Sequence, residues 1–345
     1  MSDRRYRVGV VGSSFGGWVH VPAFVAQGRF EVVALASPQH ATQVATERNV
    51  PRAFTSVDEM LDSVELDVVS VASPPFAHHA AVLAALKRGL HVLCEKPFTL
   101  NVAEAEELVA AAERAGTVCA LAHEFRYTPP RQALHELARN GHLGALRAIE
   151  ITQNSTMLRA ESERPNSWWF ERRRGGGMTG AGLSHVVDQA NWFSGRAPVR
   201  VAGLERTANR ERHHDDDAFT SDVADGAFAT LDYGEGLIAS VAVDATRAVD
   251  SVTVAVHGEQ RTAVASGPDA LDLRTFVVDD DETSELELTP QRHANLAAAH
   301  GNLPPFVTLL DAFATRLDGN TASLPTFADG LATQRVLAGI GYEVP

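Results

Sequence analysis

Two cysteines in 345 residues, Cys94 and Cys119, rule out a disulfide framework. Each sits in an apolar, strand-like run, where a small buried hydrophobe kept reduced is the expected role. Basic charge is also short: 30 Lys and Arg against 44 Asp and Glu leave a formal net charge of −14. A nucleic-acid surface needs a Lys/Arg excess on some face, and the one dense basic run, Arg172-Arg173-Arg174, is too brief to supply it. Long apolar runs are missing, so no segment suits a bilayer-crossing helix. Residues 1–7 are polar and charged, without the apolar core and cleavage site of a secretory signal. These absences point to a cytoplasmic protein with neither a nucleic-acid nor a membrane partner.

What is present is ordinary soluble composition, 45% apolar and 21% charged. The length is generous for one core, and two domains are expected. In residues 1–127, continuously apolar runs at 7–11, 31–36, 67–72, 90–94 and 117–122 alternate with helical patterns. Ser56 with Glu59 forms a capping-box pattern, Gly89 follows a helical stretch over residues 77–88, and Asn101 with Glu104 opens another helix that Gly116 closes. Five β-α repeats predict a doubly wound parallel sheet.

The pattern changes at Tyr127-Thr128-Pro129-Pro130, where paired prolines cannot continue a strand or helix. Beyond it, residues 146–153, 199–203, 226–232, 237–243 and 251–257 are strand-like, with little helix between them. Helical patterns fall at 184–193, 304–317 and 327–340. The chain is therefore expected to be α/β, with a Rossmann-type domain over 1–127 and an α+β domain over 128–345 built on a large, mainly antiparallel open sheet. Covering both faces of that sheet predicts a homo-oligomer, a dimer or tetramer.

The run Val8-Gly9-Val10-Val11-Gly12-Ser13-Ser14-Phe15-Gly16-Gly17 is a strand entering a glycine-rich turn. Gly12 and Gly17 fill the first and third places of a G-x-G-x-x-G fingerprint, while Ser14 occupies the second. Such a turn presents backbone N–H groups to a diphosphate. The second strand ends at Ser37, about where an acid would hold the ribose 2′-hydroxyl of NAD. A neutral residue removes the repulsion of a 2′-phosphate, yet no arginine follows, so NAD and NADP both stay open with a lean to NADP. The third strand ends Ala72-Ser73-Pro74-Pro75, with His78 beyond. The fourth ends in Glu95-Lys96-Pro97, an ammonium group at the carboxyl end of a buried parallel strand, where open α/β sheets bind ligands.

In this order the glycine turn, Ser73-Pro74-Pro75-Phe76-Ala77-His78, Glu95-Lys96-Pro97 and a Gly175-Gly176-Gly177 run leading to His185 and Asp188 resemble the Gfo/Idh/MocA oxidoreductase family. The closing segment Pro325-Thr326-Phe327-Ala328-Asp329-Gly330-Leu331-Ala332-Thr333-Gln334 is similar too. The resemblance covers nearly the whole chain. It implies NAD(P)-dependent oxidation or reduction at a carbinol or ketone carbon, frequently of a sugar or cyclitol. Oligomerisation through the C-terminal sheet is implied as well. The family's lysine maps onto Lys96 and its histidine onto His185. Many members carry an aspartate four residues before that histidine; here it is Ala181. Leu183 stands where a glycine is usual, two before the histidine.

The expected catalytic residues are thus Lys96, as proton donor and acceptor, and His185, as a hydrogen-bonding assistant. The cofactor set is Gly12, Ser13, Ser14, Phe15, Gly16, Gly17, Ser37, Ser73, Pro74, His78, Glu95 and Lys96. Substrate contacts are expected from Lys96, His123, Arg126, His185 and Asp188, though an interdomain salt bridge suits Arg126 equally. Trp168 and Trp169 suit a sugar-binding wall or core packing. His213-His214-Asp215-Asp216-Asp217 has consecutive spacing that cannot put many side chains on one ion, and a solvated loop without metal is expected. Two alternatives remain: a nucleotide-sensing regulator without chemistry, and a lyase or glycosidase that oxidises its substrate transiently with tightly bound NAD.

Overall fold

The structure, a computed structural model, describes residues 5–280 and 282–344. Residues 1–4 of the polar N-terminal segment lie outside it. The chain divides into two compact units. The first takes the chain up to Thr99, then Ala103–Tyr127 and Gln291–Leu331; the second takes Leu100–Val102, Thr128–Pro290 and the chain from Ala332 on. This division departs from a contiguous one at Leu100–Val102 and at Gln291–Leu331.

Helices α1 to α9 run over Val21–Gln27, Ala41–Glu47, Val57–Ser63, His78–Leu86, Val102–Ala115, Pro129–Arg139, Ser184–Ser194, Leu303–Leu317 and Phe327–Gly339. No helix among the described residues is long and apolar enough to cross a membrane. In the first unit, β1 (Tyr6–Val11), β2 (Phe30–Ala36), β3 (Arg52–Phe54), β4 (Val68–Val71), β5 (His91–Cys94) and β6 (Cys119–Leu121) form a parallel sheet. Its order is β3-β2-β1-β4-β5-β6. The order reverses between β1 and β4, the switch point at which such sheets bind ligands. β3 escapes a pattern search because it is short and begins on exposed Arg52. Ser56 Oγ accepts the Glu59 N–H at 3.4 Å, so the predicted cap opens α3.

Gln291–Leu331 belongs with this sheet for a plain hydrophobic reason. Phe306, Val307, Leu309, Leu310 and Phe313 of α8 are fully buried in the same core as Val8, Phe24 and Phe30. Phe313 stacks on Phe30 with ring centroids 6.2 Å apart. At the far end of α8, Asp318 accepts hydrogen bonds from Tyr6 and Arg29.

The second unit is built on an eight-stranded sheet among the described residues, with β7 (Leu146–Asn154), β8 (Arg200–Arg206), β11 (Gly226–Asp232), β12 (Ile238–Asp244), β13 (Ser251–Gly258), β14 (Thr262–Gly267), β15 (Arg274–Val278) and β16 (Thr283–Glu285). Its pairs are antiparallel except β7 with β12. β9 (Glu211–His214) and β10 (Asp217–Thr220) form a separate hairpin, so the His/Asp run is a strand–turn–strand rather than a loop. One face of the large sheet packs Ile149, Ile151, Val241, Val243 and Val254 with Leu134 of α6 and Val187 and Phe193 of α7. On other residues of β8 and β12, Leu204 stays 74% and Ile238 38% exposed. The prolines at 129 and 130 continue no element from before them, and the first unit's segment stops at Tyr127. They open α6, because a first helical turn has no use for their missing N–H.

Candidate active site

β1 runs straight into Gly12, whose φ is +112°. A Cβ there would stand 2.4 Å from the Ala72 carbonyl oxygen, so the turn lies hard against the end of β4. At Gly17 the demand is packing: a Cβ would stand 2.6 Å from Val44 Cγ1 on α2. Ser13 Oγ donates to the Gln39 carbonyl at 3.2 Å and lies 3.1 Å from Ser37 Oγ. With its one proton spent on Gln39, Ser13 takes the Ser37 proton, which ties the turn to the end of β2. Ser14 is exposed and Phe15 half-buried, its ring 5.7 Å from that of His20. From Gly16 to His20 the backbone makes a π-helical turn before α1 begins.

Ser73 and Pro74 follow β4. The Ser73 hydroxyl oxygen is buried and has no hydrogen-bond partner among the described residues. Its backbone lies beside Gly12, so a glycine cradle and an unsatisfied hydroxyl occur together at the switch point, as a diphosphate-bearing ligand requires. His78, fully buried on α4, sets its Nε2 2.7 Å from the Ser73 carbonyl and its Nδ1 3.1 Å from that of Pro97. Burial pulls its pKa below the ordinary imidazole value, against the pull of these carbonyls.

β5 ends at Cys94 and presents Glu95 and Lys96, joined to Pro97 through a cis peptide. Glu95 is buried while Lys96 is half-exposed. Glu95 Oε2 accepts the Lys96 N–H at 3.2 Å, and Oε1 lies 3.0 Å from His20 Nε2. The other His20 nitrogen is 2.7 Å from Ser70 Oγ on β4. Burial works to raise the Glu95 pKa; the His20 hydrogen bond and the Lys96 and His20 charges overcome it, and the carboxyl lies below its ordinary value. His20 and Ser70 carry no motif and were invisible in the sequence. Lys96 carries a further sequence signal in lysine usage: only Lys87 and Lys96 occur, against 28 arginines.

After β6, His123, Glu124 and Arg126 are all buried. Glu124 Oε1 accepts from Asn302 Nδ2 at 3.1 Å, and Arg126 Nη2 lies 3.4 Å from Asp329 Oδ1. Both partners come from Gln291–Leu331, so the Arg126 pair lies within the first unit and is no interdomain bridge. Burial raises the Asp329 pKa, but Arg126 and Thr326 more than offset it, leaving the carboxyl low.

In the second unit, His185 and Asp188 are buried on α7, three residues apart on one face. Gln189 donates to the His185 carbonyl at 3.0 Å and accepts from the buried Arg131 at 2.6 Å. α7 is entered through a π-helical turn over Thr179–Leu183. Ala181 lies inside that turn, so a spacing of four before His185 does not amount to one α-helical turn. Of the two π turns among the described residues, one ends on His20 and the other runs into α7 just before His185, and such turns gather at functional sites. Trp169 packs against the unit's core, with Arg164 5.2 Å above its ring. Glu163, His214 and Asp215 bring one potential ligand atom each within 4.8 Å of the others. Glu163 comes from outside the His/Asp run, and it and Asp215 are exposed.

Residues 6–123 match the family model described as "Oxidoreductase family, NAD-binding Rossmann fold", and residues 131–264 match the "GFO/IDH/MocA C-terminal domain". The chain is 30% identical over 234 residues to the rhizopine catabolism protein MocA of Rhizobium meliloti, covering 67% of this chain and 71% of that protein. It is 26% identical to a 1,5-anhydro-D-fructose reductase of Ensifer adhaerens, over 94% of this chain and 92% of the reductase. An uncharacterized oxidoreductase of Synechocystis, sll0816, is 34% identical over 57% of this chain, which spans about half, 53%, of that relative's length. A levoglucosan dehydrogenase solved with NADH and levoglucosan has the same fold, with a TM-score of 0.84 at 21% identity over 98% of this chain and 96% of that one. The motifs, the two-unit architecture and these matches agree: the chain belongs to the Gfo/Idh/MocA oxidoreductase family.

Proposed function

We propose that the protein is a dehydrogenase or reductase moving a hydride between a nicotinamide dinucleotide and a carbinol or ketone carbon of a sugar, cyclitol or related polyol. Lys96 carries the reading. It is one of two lysines in a chain that otherwise uses arginine, and it stands at the carboxyl end of β5 against a buried carboxylate. A guanidinium holds its proton too tightly to exchange it with a substrate, whereas an ammonium is the side chain suited to that exchange. Lys96 Nζ gives or takes the proton on the substrate oxygen.

The backbone of Gly12–Gly17, with Ser37 and Ser73, holds the dinucleotide, whose nicotinamide supplies or accepts the hydride. Ser37 sets no carboxylate against a 2′-phosphate and no arginine follows it, so the site takes NADPH as well as NADH. Paired titrations with the two cofactors check this; a preference for NADH beyond about a hundredfold, or ~2.7 kcal/mol, refutes it. His185, with no carboxylate at Ala181, hydrogen-bonds the substrate oxygen rather than acting as base. His123 and Asp188 are the further substrate contacts, and Arg126 acts through its pair with Asp329. Sugar-like substrates are supported by the relatives' names, an anhydrofructose reductase and a levoglucosan dehydrogenase. Exposed Leu204 and Ile238 support a homo-oligomer through the large sheet, which light scattering of wild type and Leu204→Glu tests: an unchanged mass refutes this face.

The deciding experiment screens sugars, cyclitols and keto-sugars with both cofactors, following reduced-nicotinamide absorbance. Substrate-dependent change supports the dehydrogenase. Product without net change points to transient oxidation, and cofactor binding with no turnover points to a regulator.

A further inference from the structure

His20 is fully buried, the last residue of the π turn that follows the phosphate-binding loop. Its ring packs 4.5 Å from the Phe306 ring and its nitrogens reach Ser70 Oγ and Glu95 Oε1. All four residues belong to the first unit. The proton arrangement follows from donor capacity. An ionised carboxylate only accepts, so His20 Nε2 donates to Glu95; in a neutral ring Nδ1 then accepts, and Ser70 donates to it. Glu95 meanwhile accepts the Lys96 N–H on its other oxygen. This hydrogen-bonded series ends at Ser70, itself fully buried on β4, so it holds a charge in place rather than conducting a proton to the surface. The titratable groups acting on this carboxylate are His20, Lys96 and His78, with the Cys94 thiol beside them.

We propose that His20 is a positioning residue for Lys96: its Nε2–H locks the Glu95 carboxylate against the Lys96 main chain, keeping one oriented negative charge beside the ammonium group that exchanges the substrate proton. The proton-exchange role rests on the function proposed above; the lock itself does not. Without the donor, a buried carboxylate loses a charge-assisted hydrogen bond and takes up a proton more readily, and the ammonium loses its neighbour. Phe306 seals the ring from water, so the late segment that completes the first unit's core also closes this lock.

Because Lys96 is one of two lysines, a substrate-free readout exists. In a Lys87→Arg background, reductive ¹³C-methylation labels Lys96 and the N-terminal amine, and NMR follows the Lys96 signal against pH. His20→Leu is expected to move the Lys96 titration to lower pH, raising its neutral fraction at a given pH about tenfold. His20→Gln, which keeps an N–H for Glu95, stays within about twofold of wild type by the same measure. In a Glu95→Gln background, His20→Leu adds nothing. An unmoved Lys96 titration in folded His20→Leu overturns the proposal, as does a shift of equal size in His20→Gln. If His20→Leu does not fold, His20→Asn, whose shorter amide falls short of Glu95, is read by the same criteria. Once a substrate is found, the leucine variant lowers kcat with KM little changed. A silent substrate panel counts against the proposed function, while the titration alone judges His20.

Discussion

His78 Nε2 lies 2.7 Å from the Ser73 carbonyl oxygen, while its Nδ1 faces the Pro97 carbonyl at 3.1 Å. Carbonyls only accept, and a neutral imidazole has one proton to donate, so one of the two contacts lacks a hydrogen until the ring is charged. Burial opposes that charge and holds the pKa low. The ring pins the segment after β4 to the segment after Lys96.

Acid stability follows with a definite sign. A histidine whose folded pKa is depressed binds its proton more readily when unfolded, so stability is fully present above the unfolded value of about 6.5 and drains as pH falls below it toward the folded pKa. Thermal unfolding between pH 7.5 and 5 is expected to show a smaller loss of Tm on the acid side in His78→Gln than in wild type. Equal slopes would remove His78 from the account.

Lys96→Ala is expected to lower kcat by roughly 10²- to 10⁴-fold, the usual worth of a positioned proton donor, while NADH affinity stays within a few-fold of wild type. Lys96→Arg retains the positive charge but not the exchangeable proton and is expected to be about as slow. Steady-state rates and quenching of intrinsic fluorescence by NADH separate the two effects; substantial activity in Lys96→Arg would contradict proton transfer by this residue.

Gly12→Ala combines a φ of +112° with a Cβ 2.4 Å from a backbone oxygen that cannot swing aside. The expected cost is at least ~2 kcal/mol of stability, with loss of cofactor binding, read from denaturant unfolding and an NADH titration. An alanine variant that binds NADH normally would show that the turn does not approach β4 so closely.

Phe306→Ala should cost the first unit about 3–5 kcal/mol in denaturant unfolding, because the ring is fully buried in a shared core. For the same reason residues 1–127 expressed alone are expected to lack cooperative unfolding. A sharp transition in that fragment would mean that the late segment is an accessory.

The parallel sheet was legible because strands covered on both faces are mostly apolar, as Val8 to Val11 and Val68 to Val71 are, and they alternate with helical patterns. β3 was not, since three residues at an edge carry too little pattern. The prolines at 129 and 130 marked the change of unit after Tyr127 but hid α6, because the same missing N–H that stops a helix is harmless at its start. Asp329 and Asn302 were out of reach for another reason: their partners Arg126 and Glu124 lie some two hundred residues earlier, and no local period encodes that distance.

The sequence by itself determined the βα alternation, the glycine turn, the placing of Lys96 at a strand end and the family. Each is written in a short window whose chemistry is local. Only the tertiary structure decided that a segment near the C-terminus completes the first unit, and that His20, 75 residues before Glu95, holds its carboxylate. Burial is the reason. A hydrophobic core takes apolar side chains from wherever the chain brings them. A charge enclosed there must find its donor across space, whatever the distance in sequence.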